Sequence, residues 1–400
     1  MTRRDTRRPP GHGAISMTTR RGENSLSTKP TLARNDGHAE TTGSAIVVGA
    51  SLAGLMSALT LARTGVEVTL LERSDDSGRT GAALHVEHDL LNRLTGRTRI
   101  NRRDAIPAGL QTWHSVHDGL RAAARADSRI RLLPNTIVDA AAQNHNDAWV
   151  TTRDGRKFHA DIVIGADGHR STIRRHVAPD KPHSEFAGYV IWIGIAQESE
   201  LRARSWPDGV DFLSSTNGPL LGYPLPAKDG TLTPGRRQLG FAWYDATRNT
   251  LLRKSGAIDG SVVQHSLTAD QIPEEIYREL GAEARAEFPS PWRDAILDCV
   301  NRRAVIGTPI SEYVPNNLAN GRIALVGDAA HVPTPMTGSG FSASLHDAEA
   351  LAKAITAHGV KGPAAKLALA TYERTRLTDA RRLVQSGQQF SRSLARGVAA

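Results

Sequence analysis

Residues 44–73, SAIVVGASLAGLMSALTLARTGVEVTLLER, decide the fold of this chain. A short apolar and β-branched run at residues 45–48 leads into a turn of small residues, and apolar residues then recur at helical spacing over residues 55–63. A second apolar run, residues 66–71, follows Gly65 and ends on Glu72. The order predicts a strand, a tight turn, a helix and a second strand, which together form a βαβ unit.

The turn in this unit has the residues that a bound dinucleotide requires. Gly49 allows a sharp bend, the small Ser51 lets the backbone approach a pyrophosphate, and Gly54 permits close packing of the helix on the strand. The helix N-terminus then faces the phosphates. Glu72 stands about 20 residues after the first glycine, where such units hold a ribose. A purely structural β-turn-α is the alternative, and Glu72 favours nucleotide binding over it.

Length and composition indicate a soluble protein of two domains, because 400 residues exceed one ordinary core. The single cysteine, Cys299, excludes an intramolecular disulfide and a CxxC metal site. No apolar run approaches the length of a membrane span. We therefore expect a cytoplasmic protein with no metal and no membrane contact.

The first 43 residues carry +4 of the net charge of +9, with clustered arginines among Pro, Gly, Ser and Thr. Such a composition cannot form a packed core and predicts a disordered basic tail. It lacks the apolar core of a secretion signal, its acidic residues argue against a transit peptide, and Met17 is an alternative start. The chain has no recognised nucleic-acid-binding module, so we do not expect a nucleic-acid partner.

Two further turns combine glycine with an acid at the end of an apolar strand. Asp167 lies in Gly-Ala-Asp-Gly after the strand predicted at residues 162–164, and Asp328 lies in Gly-Asp-Ala-Ala-His after residues 323–326. Each turn alone is equally well explained by an N-cap aspartate. Three such turns on consecutive strand ends favour a single nucleotide site. Between them we predict a helix at residues 113–126, opened by Gln111 and Thr112, and strands at residues 130–133, 137–140 and 148–153.

The three turns together resemble the class A flavoprotein aromatic hydroxylases typified by p-hydroxybenzoate hydroxylase. The family pattern GDAAHxxxPxxGxG is matched from Gly327, and GADGxxS is matched from Gly165. Ser51 and Ser342 stand where the family usually has glycine and asparagine. The middle segment, with Phe-Ala-Gly-Tyr-Val-Ile-Trp from residue 186, looks most like the 2,6-dihydroxypyridine hydroxylase branch.

The resemblance implies an α/β fold, in which a Rossmann-like FAD-binding domain with a GxGxxG-type βαβ unit carries an inserted antiparallel β-sheet substrate domain and C-terminal helices. After the tail at residues 1–43, we expect the first part of the FAD-binding domain at residues 44–175. The substrate domain then spans residues 176–300, the second part of the FAD-binding domain spans residues 301–350, and the closing helices span residues 351–400.

The resemblance also implies which residues contact FAD. The first motif would approach the pyrophosphate and ribose, Arg73 would lie near the adenine, Gln111 near the ribityl–phosphate region, and Asp328 would accept a hydrogen bond from the ribityl chain. Asp167 matches an acid linked to both FAD and reduced nicotinamide. The full set of expected FAD contacts is Gly49, Ser51, Leu52, Ala53, Gly54, Glu72, Arg73, Gln111, Asp167, Gly327, Asp328, Pro335, Gly338, Ser339 and Gly340.

The chemistry implied by the resemblance is reduction of FAD by NAD(P)H, reaction with O2 to a flavin C4a-hydroperoxide, and hydroxylation of a small aromatic or N-heteroaromatic substrate. The protein would act as a monomer or homodimer. His85, on a segment that runs beside the flavin in relatives, is the candidate base, and Tyr223 is the second catalytic candidate. A lone histidine at a strand end is more often a surface or satisfied residue, and core packing explains Tyr223 about as well as catalysis does. Pro219 replaces a histidine that some relatives use, so their two-residue proton relay is absent here.

Other classes share part of this pattern. A flavin-dependent halogenase should carry a WxWxIP segment, which this chain lacks. An FAD-dependent dehydrogenase or reductase would make the same FAD contacts without inserting oxygen, and a non-enzymatic flavin-binding protein is the third alternative. Oxygen uptake with an aromatic compound distinguishes the hydroxylase from the other two.

Overall fold

A computed structural model describes residues 43–75, 83–87, 90–95 and 109–396. The predicted basic tail lies outside these residues, apart from Gly43. Within them the strands, in chain order, are β1 (Ser44–Val48), β2 (Glu67–Leu71), β3 (Ala83–Val86), β4 (Gly109–Thr112), β5 (Ile130–Leu133), β6 (Val138–Gln143), β7 (Ala148–Thr152), β8 (Lys157–Ala160), β9 (Ile162–Gly165), β10 (Glu185–Gln197), β11 (Asp211–Leu213), β12 (Leu220–Leu225), β13 (Gln238–Asp245), β14 (Ile258–Asp259), β15 (Val262–Val263), β16 (Val305–Glu312), β17 (Ala319–Asn320) and β18 (Ile323–Leu325).

The helices of the described residues are α1 (Leu52–Arg63), α2 (Leu90–Leu94), α3 (Trp113–Ala126), α4 (Arg174–Val177), α5 (Asn249–Lys254), α6 (Glu274–Glu287), α7 (Trp292–Asn301), α8 (Gly340–His358) and α9 (Pro363–Ala395). The helix predicted at residues 113–126 is confirmed, and Thr112 caps it by accepting a hydrogen bond from Ser115 N at 3.2 Å. Gln111, which we expected to open this helix, lies instead in β4, opposite Leu84 of β3. None of these helices is long and apolar enough to cross a membrane.

A six-stranded sheet in the order β17-β18-β9-β1-β2-β5 forms the nucleotide-binding half of the fold. Strands β18, β9, β1, β2 and β5 run parallel, so their carboxyl ends meet at one edge. Helix α1 is buried almost all round because it packs against this sheet, α3 and α8. The predicted α/β fold with a Rossmann-like βαβ unit is therefore confirmed.

The second sheet is antiparallel, in the order β11-β12-β13-β10-β16. One face packs on α7 in an apolar core that includes Trp192, Trp243 and Trp292. The opposite face carries Tyr189 and Tyr223 and packs against the last turns of α9. Strand β16 pairs with β10 along its length, so the antiparallel sheet continues past residue 300, where we had expected the chain to return to the first domain.

The parallel register brings the three glycine–acid turns together. Gly49 follows β1 and Glu72 follows β2, while Asp167 and Asp328 stand just beyond β9 and β18. Val48 pairs with both Leu71 and Gly165, which puts the ends of the three central strands level. Ligands of open α/β sheets bind outside such carboxyl ends. The fold therefore places the three motifs along one edge of one sheet.

Candidate functional site

Two adjoining cavities open at this edge and share Ser51, Ala166 and Gly168 in their walls. The larger measures about 780 Å³ and the smaller about 450 Å³. Predicted FAD contacts that line the larger cavity are Gly49, Ser51, Glu72, Arg73 and Asp167. Those that line the smaller are Ser51, Leu52, Ala53, Asp328, Pro335, Gly338 and Gly340. The predicted contacts outside both walls are Gly54, Gln111, Gly327 and Ser339.

The first turn depends on its glycines for packing within the protein. Gly49 has a φ of 101°, and a Cβ on it would lie 2.4 Å from the Ala166 carbonyl oxygen. A Cβ on Gly54 would lie only 1.8 Å from the Gly49 carbonyl oxygen. No side chain caps the start of α1, so its first amides are left for a ligand at the cavity wall. This geometry fits a pyrophosphate drawn close to the backbone.

The carboxylate of Glu72 is buried and held in a fixed orientation. It accepts hydrogen bonds from Ala50 N at 2.7 Å, from Ser74 N at 3.0 Å and from Ser74 Oγ at 2.7 Å. One of these donors belongs to the glycine turn itself, so the acid and the phosphate-binding backbone are parts of one structure. Glu72 lines the larger cavity, where a ribose would lie beside it.

The Asp167 carboxylate is hydrogen-bonded within its own turn, and its contact with the cofactor stays a prediction. Its carboxylate accepts hydrogen bonds from Ser171 Oγ at 2.5 Å, Thr172 N at 2.7 Å and Ile173 N at 3.2 Å. Burial raises the pKa of Asp167, and these hydrogen bonds oppose that rise only in part. The carboxylate therefore stabilises its own turn, although the residue also lines the larger cavity.

Arg174, for which we predicted no role, joins the second and third turns. Its buried guanidinium donates to the carbonyl oxygens of Ala329 and Asp328, each at 2.7 Å, and to that of His169 at 2.8 Å. It also stacks 4.1 Å from the ring centre of Tyr313. Burial lowers the pKa of Arg174. The backbone of Asp328 is thus fixed, while its side chain is exposed in the smaller cavity.

A second buried cluster supports the third turn from behind. Asp347 of α8 accepts hydrogen bonds from Gly327 N at 2.9 Å, from His331 Nε2 at 2.7 Å and from Arg376 Nε of α9 at 2.9 Å. All of these side chains are buried. The sequence pointed to Asp347 only as the end of a motif and gave no sign of Arg376, because the partner comes from another helix.

The two predicted catalytic residues lie on strands of different sheets, His85 on β3 and Tyr223 on β12. His85 is exposed on β3, outside both cavity walls, between the buried Leu84 and Val86. Tyr223 is buried on β12, bonded to the backbone of Ala83, and burial raises the pKa of Tyr223 to about 12. Its ring packs over Gly240 of the next strand, where a Cβ would lie 2.2 Å from Tyr223 Cε2. Both catalytic assignments stay predictions.

Comparison with known proteins places this architecture among flavoproteins. The profile of a family described as "FAD binding domain" matches residues 42–105 and 267–387, and one described as "FAD binding domain-like" matches residues 186–302. The matches fall on both sheets, and they include the first and third turns.

The chain is similar over most of its length to characterised enzymes. It is 28% identical over 354 residues to a 2,6-dihydroxypyridine 3-monooxygenase of Paenarthrobacter nicotinovorans, covering 80% of this chain and 85% of the relative. It is 25% identical to a 3-hydroxybenzoate 6-hydroxylase of Klebsiella oxytoca, covering 87% and 88%. Among solved structures, 2,6-dihydroxypyridine-3-hydroxylase from Arthrobacter nicotinovorans superimposes with a TM-score of 0.73 at 22% identity, covering 90% of this chain and 94% of that one.

Proposed function

We propose that this chain is a class A FAD-dependent aromatic monooxygenase, which uses NAD(P)H and O2 to hydroxylate a small phenol or hydroxylated N-heterocycle. The observation that carries the proposal is the convergence of three glycine–acid turns on one pair of cavities, closed on the far side by an antiparallel sheet. A dehydrogenase or reductase would use the same FAD contacts, but the similar enzymes are named as monooxygenases and hydroxylases, which favours oxygen insertion.

The residues present fit FAD. The larger cavity is large enough for the adenosine diphosphate half of FAD, and the glycine turn lies in its wall. Glu72 lies in the same wall, where it would bind the ribose. The smaller cavity offers the free carboxylate of Asp328 and the backbone around Gly338 to the rest of the molecule. FAD supplies the electron transfer and the oxygen chemistry, while the protein binds, orients and shields the reactants. We further propose a cytoplasmic monomer or homodimer.

The proposed function is tested by measuring NADH and NADPH oxidation with a panel that contains 2,6-dihydroxypyridine, 3-hydroxybenzoate and related phenols. We expect a yellow protein with noncovalent FAD, and at least one compound that accelerates NAD(P)H oxidation, consumes O2 and yields a hydroxylated product. Catalase separates hydroxylation from peroxide release. Flavin reduction without product hydroxylation by any compound would instead support the reductase.

An Asp328→Ala variant is expected to release most of its FAD, because this carboxylate is the exposed acid at the ribityl end of the site while its backbone stays fixed by Arg174. Loss of a hydrogen bond to a charged group costs about 1.5–3 kcal/mol, or roughly ten- to a hundredfold in affinity. The measurement is FAD binding by flavin fluorescence. Asp328→Asn, which keeps an acceptor, should bind FAD with intermediate affinity, and undiminished binding by both variants would contradict this role.

A His85→Ala variant is expected to keep FAD and to be reduced, yet to hydroxylate about 10²–10⁴-fold more slowly or to release peroxide. The reason for this expectation is the position of His85 on β3. Ala83 contacts the aromatic cluster of the antiparallel sheet, and His85, two residues later, lies on the same face of the strand. The defect should ease at high pH, where the substrate ionises unaided. Tyr223→Phe serves as the comparison. If Tyr223→Phe does not hydroxylate the substrate while His85→Ala hydroxylates it at the wild-type rate, Tyr223 and not His85 accepts the proton of the substrate's hydroxyl group.

A further inference from the structure

A carboxylate from outside helix α8 reaches the first turn of that helix. Ser342, the third residue of α8, donates a hydrogen bond from its Oγ to Oε1 of Glu87, which directly follows β3. Both side chains are half-buried. The first turn of α8 contains no acidic residue of its own. Glu87 therefore brings a negative charge to this turn from 255 positions away in the chain.

The start of α8 also forms part of the wall of the smaller cavity, which Gly338, Gly340 and Phe341 line. The N-cap residue Ser339 does not cap the helix with its side chain, because its hydroxyl donates instead to the carbonyl oxygen of Thr337 at 2.8 Å. The first amides of this 19-residue helix therefore present a partial positive charge at the cavity. The FAD-binding profile described above includes this turn, which independently indicates that a flavin nucleotide lies beside it.

The charge of Glu87 is not balanced by a cation in the part of the chain that the structure describes, where Ser342 is its hydrogen-bond partner. The two acids of α8 itself are different, because Asp347 pairs with Arg376 and Glu349 pairs with Lys353. Gly340, in the cavity wall, precedes Ser342 by a rise of only about 3 Å along the helix axis. A half-buried charge at this distance is screened by water only in part.

Building on the proposed function, which places FAD in the two cavities, we infer that Glu87 lowers the reduction potential of the bound flavin. The larger cavity takes the adenosine diphosphate half, so the flavin ring lies in the smaller cavity beside the start of α8. NAD(P)H transfers a hydride to the ring, which is two electrons and one proton, and is itself oxidised to NAD(P)+. The ring thereby gains one negative charge. The positive end of α8 favours that charge, and Glu87 opposes it.

This opposition acts in opposite directions on the two halves of the proposed reaction. A negative charge beside the ring makes hydride acceptance from NAD(P)H less favourable and makes the return of electrons to O2 more favourable. Glu87 needs no contact with FAD for this effect, because it acts through the field at the start of α8. The hydrogen bond from Ser342 fixes the carboxylate at that position.

A purely structural role is the alternative, because the same hydrogen bond joins the end of β3 to α8. Two substitutions separate the charge from the bond. Glu87→Gln removes the charge and keeps an oxygen that accepts from Ser342, whereas Ser342→Ala keeps the charge and removes the bond. A structural role predicts that Ser342→Ala is at least as destabilising as Glu87→Gln and that neither substitution changes the reduction potential.

The test measures the midpoint potential of the FAD-loaded protein, without aromatic substrate or turnover, by spectral titration against a redox dye of known potential. Glu87→Gln is expected to favour reduction about tenfold, which is a rise of about 30 mV for a two-electron couple. Sulfite also leaves the flavin ring negatively charged when it adds to it, so its dissociation constant should fall by the same factor. Ser342→Ala should leave both quantities close to their wild-type values.

Glu349→Gln is the matched control, because it removes the same charge from α8 about 10 Å further along the helix axis. It should leave the potential and the sulfite affinity unchanged. The inference is overturned if Glu87→Gln keeps the wild-type potential, if Glu349→Gln raises it equally, or if Glu87→Gln loses its FAD, which would indicate the structural role. A wild-type protein that takes up no FAD would instead contradict the proposed function.

Discussion

A Gly54→Ala variant is expected to lose both its folded structure and its flavin. The added methyl carbon would lie 1.8 Å from the carbonyl oxygen of Gly49 and 3.3 Å from Ala166 Cβ, distances that require α1 or the turn to move. The turn has no room to move, because Gly49 is itself pressed against the Ala166 carbonyl and its amide is bonded to Leu71 O at 2.7 Å. Overpacking typically costs about 1–3 kcal/mol, and we expect the upper end here because backbone atoms would have to move.

Gly281→Ala is the matched control for that experiment. Gly281 also lies within a helix, α6, but the nearest atom to a Cβ there is the flexible end of Arg285 at 3.4 Å. Alanine is favoured over glycine within helices by about 1 kcal/mol, so this variant should be as stable as wild type or slightly more stable. Soluble yield, bound flavin and urea unfolding are the measurements. A Gly54→Ala protein that keeps its FAD and wild-type stability would show that the βα turn adapts.

The sequence predicted best the elements whose signals are local. The helix expected over residues 55–63 is α1, and the second strand ends on Leu71, immediately before Glu72, because apolar period and turn glycines are read from adjacent residues. The convergence of the three turns also followed from sequence, since strands of one parallel sheet end at one edge. The sequence could not decide the use of each acid, and Asp167 proved to bond mainly within its own turn.

Contacts between segments that are distant in the chain could not be predicted from the sequence, for a physical reason. Tyr189 and Ser391, whose hydroxyl oxygens lie 3.5 Å apart, are separated by 202 positions, and Ser391 and Glu312, which share a hydrogen bond of 2.6 Å, are separated by 79. These residues meet because α9 packs against β10 and the loop around Pro335, and the hydrophobic periodicity of the sequence does not indicate that packing. The pairing of β16 with β10 was not predictable for a related reason, because a strand that returns to an earlier sheet has the same local pattern as one that begins a new domain.

An Asp347→Asn variant is expected to destabilise the protein by about 3 kcal/mol at pH 7, because it leaves the buried Arg376 guanidinium with only the exposed Asp379, 3.7 Å away, as a counter-charge. It should also weaken FAD binding, since Asp347 holds the Gly327 amide at the start of the third turn. Glu349→Gln is the control on the same helix. Glu349 pairs with the exposed Lys353, and such surface pairs contribute less than about 1 kcal/mol.

The destabilisation by Asp347→Asn should depend on pH in a defined direction. Burial raises the pKa of Asp347, but the charges of His331 and Arg376 and the hydrogen bond from His331 outweigh it and hold the pKa below its ordinary value. The unfolded chain therefore takes up this proton more readily than the folded one. The contribution of the carboxylate is complete above the unfolded pKa of about 4 and is lost as the pH falls through the folded value.

Urea unfolding of wild type, Asp347→Asn and Glu349→Gln between pH 7 and pH 3 measures this contribution. The difference between wild type and Asp347→Asn should stay constant down to about pH 4 and shrink below it, because the wild-type carboxylate then becomes neutral as well. Combining Asp347→Asn with Arg376→Gln should cost less than the sum of the single changes, since the second change removes the uncompensated charge. A cost no larger than that of Glu349→Gln, or a difference that grows at acid pH, would mean that the Asp347 cluster does not hold the third turn in place.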